Sequence, residues 1–110
     1  MSMYADYIKE KTDHHIYETE QGFATYRYLN EKQVHIMDVY IIPDFRRSGT
    51  ASAIGDAIVD IAKLRGCTEL IGSVIPSTKN STDSLKFLLS YGFKLDSSAH
   101  DLIVLKKEIV

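Results

Sequence analysis

The chain has one cysteine, two prolines and no tryptophan in 110 residues. A lone Cys67 excludes an internal disulfide and a cysteine-built zinc site, which fits a reducing compartment. No apolar run approaches the roughly 18 residues of a membrane span. The start, Met1-Ser2-Met3-Tyr4-Ala5-Asp6, lacks the charged head and apolar centre of a secretory signal. The expected location is therefore the cytoplasm. An excess of one charge is also missing: Lys and Arg total 13 against 15 Asp and Glu, a formal net charge of -2. That balance argues against a broad basic face for nucleic acid. With no repeat, linker or low-complexity tract, residues 1–110 read as a single domain, large enough for one core.

What is present is a series of short periodic segments. Tyr4, Ile8 and Lys11 suit one side of a short N-terminal helix. Residues 15–19 and 23–29 read as strands joined by a Gln21-Gly22 hairpin turn. After a turn at residues 29–32, residues 34–42 are apolar on both faces and read as a central strand. Ala51, Ile54, Ile58 and Ile61 fall on one face of a helix that Gly66 stops, while Asp56, Asp60 and Lys63 face water. Residues 70–75 read as a strand and 76–80 as a loop. Asn80 or Ser81 caps a second helix, with Leu85, Leu88 and Leu89 on its buried side and Tyr91-Gly92-Phe93 at its end. Two short strands follow, at 93–95 and 102–106, with Ile109 trailing. The order β-β-β-α-β-α-β-β predicts an α/β (α+β) fold with a mixed, mostly antiparallel sheet flanked by helices.

The most informative stretch is Ile42-Pro43-Asp44-Phe45-Arg46-Arg47-Ser48-Gly49-Thr50-Ala51-Ser52. A strand that runs through a small-residue turn into a helix presents free N–H groups at the positive end of the helix dipole, a site suited to phosphate. Gly49 and Ala51 let the backbone come close to such a guest, and Arg46 or Arg47 can add charge-assisted bonds. No Gly-Lys-Ser/Thr phosphate loop is present, which counts against an unrelated nucleotide binder.

The motif Arg46-x-x-Gly49-x-Ala51 after a strand, with Pro43 three residues upstream, resembles the Q/R-x-x-G-x-G/A motif of the GCN5-related N-acetyltransferases. Leu88-Leu89-Ser90-Tyr91-Gly92-Phe93 is similar to that family's later helix ending in Gly-Phe. The resemblance covers roughly residues 14–107 and implies an acyl-CoA N-acyltransferase-like fold with acetyl-CoA as co-substrate; no metal is expected, because His14 and His15 are adjacent on a strand and no carboxylate cluster accompanies them. It places the pyrophosphate on main-chain amides of Arg47, Ser48, Gly49, Thr50, Ala51 and Ser52. It places the pantetheine arm and thioester along the backbone of Val39, Tyr40 and Ile41, where an N–H stabilises developing negative charge as an amine attacks. It also puts Asn80 and Ser84 where polar contacts to the arm are made.

Two proton movements accompany the transfer. The family often protonates the leaving thiolate from a tyrosine four residues before Gly-Phe; that position is Leu88 here, and Tyr91, three residues on, is the candidate substitute. Some histone-acetylating members carry a glutamate base eleven residues before the Q/R motif, which falls on His35. Histidine, with an unperturbed pKa of roughly 6.5, suits that task. Asp38, placed on the opposite face by strand alternation, is the second candidate base. The bland readings are a strand-edge histidine, a salt-bridging aspartate and a packing tyrosine. The region before the first strand is short for the family, so the acceptor groove is expected to be open or completed by a second subunit in a homodimer, and to suit a peptide or protein amine. The expected activity is N-acetyl transfer from acetyl-CoA to a primary amine. The alternative is a catalytically silent domain of this fold that senses acetyl-CoA or binds a protein.

Overall fold

The structure, a computed structural model, describes Met3 and residues 13–109. The N-terminal helix expected from Tyr4, Ile8 and Lys11 lies outside the described residues. Strand β1 (His15–Thr19) pairs antiparallel with β2 (Gly22–Tyr28), and β2 with β3 (Gln33–Ile41). A 3-10 turn at Pro43–Phe45 leads into helix α1 (Thr50–Leu64), then β4 (Glu69–Val74), helix α2 (Ser81–Tyr91) and the hairpin β5 (Lys94–Ala99) and β6 (Leu102–Glu108). The six strands lie in the order β1-β2-β3-β4-β6-β5, with β3 and β4 parallel and every other neighbouring pair antiparallel. The expected element order and mixed, mostly antiparallel sheet are both present.

The first hairpin differs from the expected one by a residue, for a physical reason. Thr19 pairs with Gly22, so the turn is Glu20-Gln21, and the Thr19 hydroxyl accepts from the Gln21 N–H at 3.1 Å. Gly22 opens β2 instead. A Cβ there would strike the Tyr40 carbonyl oxygen and come within 2.9 Å of Ile41, so glycine is required for the close approach of β3. The second turn is built by Asn30, whose Oδ1 accepts from the N–H groups of Lys32 at 2.8 Å and Gln33 at 3.0 Å.

Both helices pack on one face of the sheet. Ile54, Ile58 and Ala62 of α1 are buried with Leu70, Val74, Leu88 and Leu105 in a single core. Ile61 is only partly covered, because the i, i+4, i+8 line through Ile54 defines the packed face. Gly66, at φ +93°, stops α1 as expected: its N–H donates to Lys63, and the Cys67 N–H reaches back to Ala62. On α2 the expectation fails for Leu89, which is 50% exposed; Leu88 is buried, with Leu85, Phe87 and Tyr91 packed around it. Asn80 occupies the N-cap position at φ +65° but makes no side-chain cap bond, and the Ser81 hydroxyl donates to the Pro76 carbonyl. Neither residue caps α2 as expected. β5 is longer than expected and exposed at every position, so its polar sequence carries no alternation to read.

One irregularity positions the site. Thr25 pairs with Asp38 and Tyr26 with Ile36, which leaves Met37 as an extra residue in β3, a β-bulge. The parallel ladder between β3 and β4 runs from Gln33/Glu69 to Ile36/Gly72 and stops there. A bulge bends its strand and sharpens its twist, and this one coincides with the point where β3 leaves β4. From Met37 to Ile41, the edge of β3 that faces β4 has no strand partner among the described residues.

Candidate active site

The parting of β3 and β4 opens onto a cavity of about 900 Å³ on the helix face of the sheet. Its walls are β3 on one side, the start of α1 at one end, and α2 with Gly72 and Ser73 of β4 on the other. Of the residues expected to hold a cofactor, Val39, Tyr40, Ile41, Arg46, Arg47, Gly49, Ala51, Ser52, Asn80 and Ser84 all line it. Ser48 and Thr50 do not. The Ser48 hydroxyl donates to the Phe45 carbonyl at 2.5 Å, and Thr50 is buried with its hydroxyl on Gln21, so both hold the loop in shape from behind.

The loop entering α1 leaves its donors free. Arg47 at φ +62° and Gly49 at φ +86° lie in the left-handed region, and among the described residues no group accepts from the N–H groups of Arg47, Ser48 or Gly49. Gly49 is the N-cap of α1 and no side chain caps the helix. Arg47 and Gly49 of this loop line the cavity, so the positive end of the α1 dipole lies at its edge. Nε of Arg46 donates to the Ile41 carbonyl at 2.8 Å, and its guanidinium lies 5.6 Å from the Tyr40 ring centroid. The Ile41 carbonyl thereby already accepts one hydrogen bond from the loop.

The expected catalytic residues separate into two groups. Tyr91 lines the cavity, stacked on Phe87 at 5.7 Å, but its hydroxyl donates to Asp56 Oδ1 at 2.6 Å. Burial and the Asp56 carboxylate raise its pKa well above the ordinary phenol value. The bond ties α2 to α1. Leu88, at the position where the resemblance expects tyrosine, is 9% exposed, and a Cβ on Gly72 would lie 3.1 Å from its Cδ2. The side chain fills the space over that glycine.

His35 and Asp38 do not line the cavity. The register pairs His35 with Arg27 and Asp38 with Thr25, two residues apart on β2, so both lie on the face turned away from α1 and α2. The expected alternation, which set them on opposite faces, is overturned by the bulge at Met37, because one extra residue restores the same facing. Burial and the Arg27 guanidinium hold the His35 imidazole below its usual pKa, against the pull of the Asp38 carboxylate. Nε2 of His35 lies 3.0 Å from the hydroxyl of Ser73, and Ser73 borders the cavity. The sequence reading missed Ser73. Its only signal was position: it is the residue after Gly72 in a strand that sequence alone does not align with β3.

Comparison with known proteins agrees with this geometry. The chain superposes on a putative acetyltransferase of the GNAT family from Desulfovibrio desulfuricans with a TM-score of 0.76 at 18% identity, covering 88% of this chain and 70% of that one. PaiA N-acetyltransferase from Thermoplasma acidophilum, solved in complex with coenzyme A, gives 0.70 at 16% identity over 80% of this chain and 53% of that one. A GNAT family acetyltransferase from Elizabethkingia anophelis with acetyl-CoA bound gives 0.68 at 16% identity over 96% and 86%. The chain thus spans only about half of the PaiA protein, and at these identities the likeness establishes the fold. No curated protein matches at the level of sequence. Residues 4–93 match the acetyltransferase (GNAT) family, which spans most of the sequence and both expected motifs. The chain belongs to the GNAT acetyltransferase family.

Proposed function

We propose that this protein transfers an acetyl group from acetyl-CoA to a primary amine by direct attack. The observation that carries the reading is the parting of β3 from β4 beyond Ile36 and Gly72, over a cavity that ends at the uncapped start of α1. A diphosphate at the end of a long amide-bearing arm fits that shape. The N–H groups of Arg47 to Ser52, with the two arginine side chains, suit the phosphates. The bare edge of β3 up to Tyr40 suits an arm that hydrogen-bonds like a strand. Asn80, with no capping bond to make, and Ser84 add polar groups along the α2 wall. Bound there, acetyl-CoA supplies the acetyl group as an activated thioester.

The chain's own residues supply position and proton handling. N–H groups on the bare edge of β3 meet negative charge where it develops. Asp38 and His35, on the face away from the helices, meet an ammonium acceptor arriving from that side; Asp38 attracts it, its first proton is lost to water, and neutral His35 takes the second, released as the free amine attacks. Tyr91, engaged by Asp56, holds the two helices together. The leaving thiolate takes its proton from water, which a thiol of ordinary acidity tolerates without an enzymic acid. The acceptor is proposed to be an amine on a peptide, a protein or a small molecule.

Calorimetric titration with coenzyme A tests the cofactor. Saturable binding in the micromolar range is expected, and no heat at millimolar coenzyme A would remove the reading. Thiol release from acetyl-CoA with a panel of amines and lysine peptides then ranks acceptors.

A further inference from the structure

Ser73 is the first residue of β4 beyond the last parallel rung, and among the described residues its one strand partner is Val104 of β6 on its other side. It borders the cavity while its hydroxyl lies 3.0 Å from Nε2 of His35. His35 itself is outside the cavity, and Asp38 shares its face because of the bulge at Met37. Ser73 is therefore the link between the cavity and the histidine.

We infer that Ser73 relays the acceptor's proton to His35: its oxygen takes the proton of the attacking amine as its own proton passes to Nε2. The inference rests on the amine-acetylating reading above and deepens it. The balance is simple. The amine nitrogen gives up one proton as its bond to the acetyl carbon forms. The carbon–sulfur bond breaks with its electron pair on sulfur. Ser73 ends with the hydroxyl it began with, and His35 holds one added proton that later passes to water. The direction requires the ring to carry its proton on Nδ1, leaving Nε2 as acceptor. Asp38 on the same strand favours the resulting imidazolium and Arg27 of β2 opposes it. Farther along this face, Glu69 of β4 and Lys106 of β6 neutralise each other in an ion pair at 3.4 Å.

The test uses the full chain and three forms: wild type, Ser73→Ala and Ser73→Thr. The His35 ring is titrated by NMR in the free protein. A hydroxyl that donates to Nε2 stabilises the neutral ring, so Ser73→Ala is expected to raise the His35 pKa and Ser73→Thr to restore it. No change, or a fall, overturns the relay. Thiol release from acetyl-CoA is then followed with ethanolamine as the probe amine. Ser73→Ala is expected to lower kcat about 100-fold, with the KM for acetyl-CoA changing by less than about threefold. Ser73→Thr recovers most of the rate, and the acid limb of the wild-type profile, set by His35, is lost in Ser73→Ala. A loss confined to KM, or wild-type release no faster than that of Ser73→Ala, overturns it. So does an acetylated Ser73 found by mass spectrometry, which would make that residue a nucleophile. Failure of coenzyme A to bind the wild type defeats the acetyl-transfer reading itself, and the NMR arm separates that result from a missing Ser73–His35 bond.

Discussion

Nε of Arg46 donates to the carbonyl of Ile41 at 2.8 Å, so the first residue after the 3-10 turn is tied to the last residue of β3. The bond closes a short loop across Pro43–Phe45. It fixes the angle between the bare strand edge and the free N–H groups before α1, the two surfaces proposed to hold one elongated ligand. Arg46 thus sets the spacing of the site as well as its charge. Replacement by alanine is expected to weaken coenzyme A binding about tenfold by calorimetry. Lysine should restore little of it, because a lysine lacks the fixed fork that lets one guanidinium bond the carbonyl and still face the phosphates.

Gly49 adopts φ +86°, and a Cβ on it would meet no atom within 4 Å. Gly49→Glu therefore costs about 1–2 kcal/mol of backbone strain, measured as a lowered thermal midpoint, and leaves the fold standing. It should abolish coenzyme A binding at millimolar concentration, because a carboxylate then sits among the N–H groups that would meet the phosphates. Binding that survives would show that the diphosphate does not lie there.

Tyr91→Phe separates a helix tie from a proton donor. Losing the bond to Asp56 should cost about 1 kcal/mol of stability after allowance for solvent screening, read by urea denaturation. Thiol release should change by less than about threefold. A tenfold or larger fall in kcat with unchanged acetyl-CoA binding would return Tyr91 to the chemistry.

Gly22→Ala has no open space to use. Its methyl would collide with the Tyr40 carbonyl and with Ile41, both backbone groups of β3. A destabilisation of about 2–3 kcal/mol is expected, accompanied by weaker coenzyme A binding because the displaced segment forms the cavity wall.

His35 has a folded-state pKa below its usual value. The unfolded chain therefore binds more protons between the two pKa values, and stability rises with pH through that window. The contribution is fully present above the unfolded value of about 6.5 and is lost as pH falls through the lower folded value. Denaturation curves from mildly acidic to neutral pH should show this slope in the wild type, and His35→Gln should flatten it. A slope unchanged in His35→Gln would assign it to another group.

Much of this architecture is written in local pattern. The Ile54–Ile58 stripe, Gly66 after the last helical turn, and the pairing of small residues with arginines before α1 are each set by neighbours a few positions away. That is why the shape of the loop before α1 was legible, and ten of the twelve residues expected to hold a cofactor line one cavity. Leu89 and β5 were misjudged for the same reason in reverse. Three leucines in five positions do not say which of them meets Gly72, and a strand exposed on both faces leaves no alternation.

Sequence alone determined the order of elements, the glycine stops and the run of free amides before α1, because each depends on short-range sterics and hydrogen bonding. Only the tertiary structure decided which side chains meet. One unpaired residue at Met37 turned Asp38 onto the face of His35, and the end of the parallel ladder at Gly72 left Ser73 between that histidine and the cavity. Register between strands distant in sequence is chosen by the packing of the whole sheet, and a single bulge in it reassigns the facing of every residue that follows.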